Sequence, residues 1–254
     1  MKAWSSRRTV LRRMRDALCL AFSAAVLVLG SGGCRGTNLL STKDEVRLGK
    51  DASAEVEKRY RVLTNTAESR RVATVGSRIL DHCEKREGVP YFVKTLEVKD
   101  VNAVSLPGGP IYVYTGLLDF IGDDDDALAC IIGHEAGHID ARHSAKQISQ
   151  QMVANVGILL VLRGKTAQDI GALTTDLLNL SYSREDEYEA DHRGVSYAHK
   201  AGYKATGMVE FFKKLQKLEK KGAGLEILRS HPYASQRLAR VEKIIETQDY
   251  RYGR

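Results

Sequence analysis

The segment His134-Glu135-Ala136-Gly137-His138 sets two imidazoles four positions apart, with a carboxylate next to the first. On a helix, side chains at that spacing stand one turn apart on one face. Two imidazoles so placed can share one zinc ion, and Glu135 can reach a water beside that ion. The chemistry this permits is metal-assisted hydrolysis with the carboxylate as proton acceptor. Zinc in a hydrolytic site takes three protein ligands and keeps one position for water. One solution uses a third histidine six residues after the second. Here that position is Ser144, Ala141 stands where a glycine is expected, and His143 falls one residue short. The other solution draws a carboxylate from a later helix, and Glu185-Asp186-Glu187-Tyr188-Glu189-Ala190-Asp191 offers several. Glu187 and Asp191 are one turn apart and share a face. Glu187 could bind the metal while Asp191 accepts a hydrogen bond from the far nitrogen of a ligand histidine. Glu185 and Glu189 compete for the same role.

These residues need helices to hold them. Asp123 to Asp126 put four carboxylates where a helix N-terminus favours negative charge, and Leu128, Ile131 and Ile132 follow at helical spacing. The pattern predicts a motif helix over Ala127 to His143. Other helices are predicted over 45–60 (capped by Thr42 or Asp44), 67–87, 147–162, 167–180, 184–201, 206–220 and 235–247. Tyr91 to Val98 and Ile111 to Tyr114 read as strands, with Asn102 to Pro110 as a turn-rich connection. The fold class is mainly α (α+β), a helical zincin-type domain with a small β-sheet beside the active-site helix. Residues 43–254 form one domain, with no repeat. Ile111, Tyr112, Val113 and Tyr114 are expected to offer an exposed sheet edge with which an extended substrate could pair.

The amino terminus has a different character. Lys2 and five arginines, against Asp16 alone, precede residue 34, so +5 of the formal +7 charge lies there. The remaining body is near neutral, and the basic balance is no argument for nucleic acid. Residues 1–33 read as an export signal: basic residues, then a 14-residue apolar run from Ala17 to Gly30. Ser6-Arg7-Arg8-Thr9-Val10-Leu11-Arg12 resembles a twin-arginine motif, with Val10 where Phe is preferred. Ser31-Gly32-Gly33-Cys34 resembles a lipobox, with Ser31 where Leu is usual. Cys34 is therefore the expected lipidation site, with 34–42 as a tether. Cys83 and Cys130 are an even pair that could bridge in an oxidising compartment, or Cys130 could simply be a small buried residue.

Five segments resemble one zinc peptidase family, which contains the CAAX prenyl endopeptidase, HtpX, and periplasmic lipoprotein proteases of the LoiP and BepA kind. They are Glu45 to Gly49, Asn102 to Leu117, His134 to His138, Ser183 to Asp191, and His231-Pro232 with Arg237. The resemblance spans roughly Lys43 to Thr247, and stand-alone LoiP-like members fit best. It implies zinc held by His134, His138 and Glu187, with Asp191 behind a ligand and Glu135 as catalytic base. It also places His231 near the metal, where the side chain could donate to an oxyanion, plug the open position, or merely cap the last helix. The implied function is a lipid-anchored endopeptidase of the bacterial envelope, on the outer membrane rather than the inner. Its partners would be unfolded or misassembled envelope proteins. A chaperone-like lipoprotein that holds clients over a latent, His-plugged site is the alternative. A small-molecule zinc hydrolase is a third.

Overall fold

The computed structural model describes residues 38–154, 167–220 and 225–248. The export segment, Cys34 and the apolar run 156–162 lie outside the described residues. Helix α1, Thr42–Arg59, opens on a reciprocal cap: Ser41 accepts from the Asp44 amide while Asp44 accepts from that of Ser41. Ser41 thus takes the capping place expected of Thr42 or Asp44. Strand β1 (Val62–Leu63) and helix α2 (Ala67–Leu80) follow, then β2 (Phe92–Leu96), β3 (Ala103–Ser105) and β4 (Pro110–Tyr114). The helix expected to reach residue 87 stops at Leu80, and Lys85 beyond it is left-handed, with φ 42°.

The four strands form one sheet in the order β1-β2-β4-β3. β2 and β4 are parallel, and β3 runs antiparallel to β4, with Ala103 opposite Val113 and Ser105 opposite Ile111. This overturns the expected edge at Ile111, Tyr112, Val113 and Tyr114. The backbone of β4 is paired on both sides, so no extended peptide can add to it. The reason lies in the side chains. Ile111 and Val113 enter an apolar cluster with Val72, Val75, Leu128 and Ile132. Tyr112 and Tyr114 enter a second cluster, with Leu48, Val56 and Leu177, on the opposite face. A strand buried on both faces belongs in the interior of a sheet. The edges are β1 and β3, and β3 occupies part of the stretch expected to be turn.

Helix α3, Thr115–Ile121, separates β4 from the motif helix α4, Asp125–Asp140. α4 ends before its expected limit because Arg142 adopts φ 60°, a left-handed conformation that no helix continues through. His143 then starts α5 (His143–Ala154). Helices α6 (Ala167–Leu178), α7 (Arg184–Lys200), α8 (Thr206–Glu219), α9 (Glu226–Ser230) and α10 (Ala234–Thr247) complete the described chain. Helices dominate, with one small sheet, as the hydrophobic pattern predicts. No helix among the described residues is long and apolar enough to cross a membrane. Cys83 and Cys130 are free thiols, and Cys130 is fully buried.

α4 packs most extensively on α7, and a glycine pair sets how close they come. A Cβ placed on Gly194 would meet the His134 backbone nitrogen at 2.7 Å, and one on Gly133 would meet the Gly194 carbonyl oxygen at 2.8 Å. Side chains at either place would wedge the two helices apart. Small residues therefore bring the histidine helix and the carboxylate helix within reach of one another.

Candidate metal centre

Asp124 caps α4 by accepting from the Ala127 amide at 2.9 Å, and Asp125 and Asp126 occupy its first turn. One helical turn separates His134 from His138, and their Nε2 atoms lie 2.9 Å apart. α7 begins at the cap residue Ser183, whose hydroxyl accepts from the Asp186 amide. The first turn after that cap carries Glu187 to the histidines. Its Oε1 is 3.4 Å from His138 Nε2, and its Oε2 is 3.6 Å from His134 Nε2. His231 arrives from the turn before α10. Its Nδ1 is 3.3 Å from His134 Nε2 and 3.1 Å from Glu187 Oε1.

One donor atom from each of His134, His138, Glu187 and His231 thus lies within 4.8 Å of the other three. Zinc–ligand bonds of about 2.0–2.2 Å give a tetrahedron with edges of roughly 3.3–3.6 Å. Taking the Glu187 oxygen named in each contact, five of the six donor pairs lie 2.9–3.6 Å apart, at or just below that range. Three imidazoles and a carboxylate are also the donor types zinc takes. The residues present therefore fit the ion.

The surrounding groups are arranged around the same point. Asp191, one turn beyond Glu187, accepts from His134 Nδ1 at 2.9 Å. Arg237 braces both carboxylates. It donates to Asp191 at 2.8 and 2.6 Å, and its other terminal nitrogen pairs with Glu187 Oε2. The guanidinium lies over the Phe212 ring, 4.8 Å from its centroid. Burial pushes the Asp191 and Glu187 carboxyls upward, but Arg237 together with the neighbouring histidines outweighs it and holds both below their ordinary range. Burial holds His138 well below its usual value, so that ring is neutral and free to ligate. Burial also opposes a charge on His231, but the Glu187 and Glu135 carboxylates prevail and raise it.

Glu135 is 2 % exposed; its Oε1 lies 3.4 Å from His231 Nε2, and its Oε2 is buried without a hydrogen-bond partner. Beside it is a cavity of about 20 Å³, lined by Met208, Phe212 and Ile227 along with His134, Glu135 and His231. That is room for one water. A much larger surface groove, about 670 Å³ beside Tyr188, His192 and Arg240, includes none of the four donors. Chemistry, not size, locates the centre.

The pattern of histidines and carboxylates brings His134, Glu135, His138, Glu187 and Asp191 to notice, the family resemblance adds His231, and the fold gathers all six. Glu185 and Glu189, the competing carboxylates, are exposed and lie outside the cluster. The capping role for His231 is excluded: Tyr233 is the cap residue of α10, with no side-chain cap bond. Ile111 to Tyr114 are not a free edge. Arg237 is singled out only through the family resemblance; its bracing role has no local signal, because nothing local relates it to a carboxylate 46 positions earlier.

A helix bearing His-Glu-x-x-His, faced by a glutamate from a second helix, defines a zinc metallopeptidase. The comparisons agree and narrow the class. The model for peptidase family M48 matches residues 66–245, and the chain belongs to that family. Metalloprotease LoiP of Escherichia coli is 26 % identical over 240 residues, covering 87 % of this chain and 93 % of that protein. Metalloprotease YcaL of the same organism is 26 % identical over 252 residues, covering 89 % and 95 %. The beta-barrel assembly-enhancing protease of Escherichia coli is 23 % identical over 232 residues, 86 % of this chain but 47 % of that longer protein. The protein is a metalloendopeptidase and its cofactor is zinc.

Proposed function

We propose that His134, His138 and Glu187 hold the zinc, that Glu135 is the catalytic base, and that Asp191 and Arg237 keep the ligands in place. The observation that carries this is the convergence of the donors beside a buried Glu135 oxygen that has no partner. Bound there, zinc supplies a Lewis acid that makes water a nucleophile near neutral pH and polarises the scissile carbonyl. Glu135 Oε2 takes the proton from the attacking water and returns it to the leaving amine. Asp191 keeps the proton of His134 on Nδ1, so that Nε2 is the ligating atom. Arg237 offsets part of the charge of the two buried carboxylates, since its single positive charge pairs with both.

His231 Nδ1 stands among the donors, which supports the plug over the oxyanion donor. In the resting chain it fills the place a substrate carbonyl needs, and the donors are nearly closed to solvent. Proteolysis then begins when the turn carrying His231 withdraws. The same contact keeps a second reading in play, a client-binding lipoprotein with a latent site. The retained base Glu135 favours the protease.

The reading extends to place and substrate. Cys34 carries lipid and anchors the chain to the outer membrane, facing the periplasm. The substrates are misfolded or misassembled envelope proteins, in keeping with a relative named for assisting beta-barrel assembly. With β4 enclosed, a substrate strand would pair on β3 instead.

Zinc content and casein digestion, measured for the wild type and Glu187→Ala, test the centre. Loss of both in the variant is expected, and a variant that keeps its zinc refutes the ligand. His231→Ala should raise basal proteolysis, whereas abolished activity points to the oxyanion role. A mature protein whose mass shows an unmodified amino terminus other than Cys34 rules out the anchor.

A further inference from the structure

His134 has Asp191 behind it, but among the described residues no carboxylate pairs with the far nitrogen of His138. The far nitrogen of His138, Nδ1, lies 2.9 Å from Nδ1 of His143. His143 is 2 % exposed, and its ring meets the His138 ring edge-on at 74°, with centroids 5.0 Å apart. Tyr182 stacks on His138 at 3.9 Å, so the ring is confined in orientation as well as position. Two neutral imidazoles that meet through Nδ1 share one proton between them. If Nε2 of His138 is to face the metal, its proton must sit on Nδ1, and His143 must be the acceptor. The proton of His143 then sits on Nε2, which faces Asp186 Oδ1 at 3.5 Å and Glu189 Oε2 at 3.6 Å. Both carboxylates belong to the helix that carries Glu187, and at these distances neither makes a hydrogen bond to that nitrogen.

We propose that His143 is the positioning residue for His138, accepting its Nδ1 proton and so fixing the tautomer that presents Nε2 to the metal. This rests on the reading of His138 as a ligand. The aim of His143 is set by the chain break before it. A continuous helix would carry residue 143 away from the face of residue 138, since five positions span 500° rather than a whole number of turns. The left-handed Arg142 reverses the chain and returns the ring. Arg142 is itself held by a buried carboxylate: its Nε donates to Glu45 Oε1 at 2.7 Å, and Glu45 is 1 % exposed. Arg86 binds the same carboxylate at 2.8 and 3.0 Å. Glu45, remote from the catalytic residues in sequence, thereby acquires a purpose as the anchor of the turn that aims His143.

The test is zinc affinity by competition with a chromogenic chelator, alongside thermal melting of the metal-free full chain. His143→Leu keeps much of the volume but has no acceptor, while the amide oxygen of His143→Asn can stand where Nδ1 stands. Losing such a partner weakens metal binding by about 10- to 100-fold. His143→Leu should show that loss, His143→Asn should recover most of it, and Glu45→Gln should fall between. A His143→Leu variant that binds zinc as tightly as wild type overturns the proposal. So does an Asn variant as weak as Leu when both metal-free proteins melt like the wild type. If Leu fails to fold, the Asn variant decides alone: near-wild-type affinity supports the proposal, and a loss as large as that expected of Leu overturns it. A wild-type chain that takes up no stoichiometric zinc, or a His138→Ala variant that keeps it, refutes the underlying site instead.

Discussion

Substituting alanine for Gly194 should damage the metal centre without touching any residue in it. The added Cβ would lie 2.7 Å from the His134 nitrogen and 3.0 Å from the Cys130 oxygen, whereas ordinary contact begins at 3.4 Å. The nearest pair must therefore part by about 0.7 Å, the difference between 2.7 and 3.4 Å. The obstacle is backbone on both sides, so no side chain can swing away to absorb it. α4 and α7 must separate, and Glu187 moves with α7 relative to the histidines. Metal–ligand distances tolerate only about 0.2 Å. A displacement near 1 Å costs on the order of 100-fold in catalysis. The packing cost of such an insertion is about 1–3 kcal/mol, survivable for a domain of ordinary stability. Zinc affinity by chelator competition should fall at least tenfold, and casein hydrolysis with it, while the metal-free protein still unfolds cooperatively at a lower temperature. Gly133→Ala, which meets the Gly194 oxygen at 2.8 Å, should act in the same direction. Wild-type zinc affinity in Gly194→Ala would show that the glycine pair does not set the ligand geometry.

Glu135→Gln should abolish casein hydrolysis while zinc content stays at one per chain; residual activity at the wild-type level removes Glu135 as the base. Arg237→Met should destabilise the metal-free chain by about 3–5 kcal/mol in urea unfolding, because two buried carboxylates lose their cation. A change within experimental scatter would mean that Asp191 and Glu187 are not both charged in the fold. The same pair sets an acid limit. Asp191 and Glu187 are held below their ordinary values of 3.8 and 4.5, so their contribution is complete above those values and is lost as pH falls through the folded ones. Melting of the metal-free protein should begin to decline below about pH 6.5, where buried His138 resists the proton that the unfolded chain takes up, and fall more steeply below about pH 5 as the Asp191 and Glu187 contribution is lost. Melting temperatures that rise on acidification from pH 5 to pH 3 contradict that sign.

Much of the centre is legible in the chain because helical spacing is a local property. His134 and His138, or Glu187 and Asp191, fall one turn apart whatever the rest of the molecule does. Ser183 capping α7 and the aspartates opening α4 mark where those turns begin. The mainly helical class follows from the same periodicity. The errors fall where neighbours distant in sequence decide. Ile111 to Tyr114 is a strand in either account, but whether it is an edge depends on β3, a three-residue strand too short to show alternation. The reach of α4 to His143 looked continuous because nothing local marks the left-handed Arg142, whose side chain bonds to Glu45, 97 positions away.

The sequence by itself determined which side chains can do the chemistry and which pairs share a helix face, because both follow from residue type and a 3.6-residue turn. Helical spacing left Glu185, Glu187 and Glu189 in competition and the family resemblance favoured Glu187; the tertiary structure brings Glu187, and neither of the others, to the histidines. It alone put Arg237 and His143 behind the ligands and left His231 among the donors. These are through-space relations between helices, set by how closely α4 and α7 pack at their glycines, and no local spacing encodes a distance across that contact.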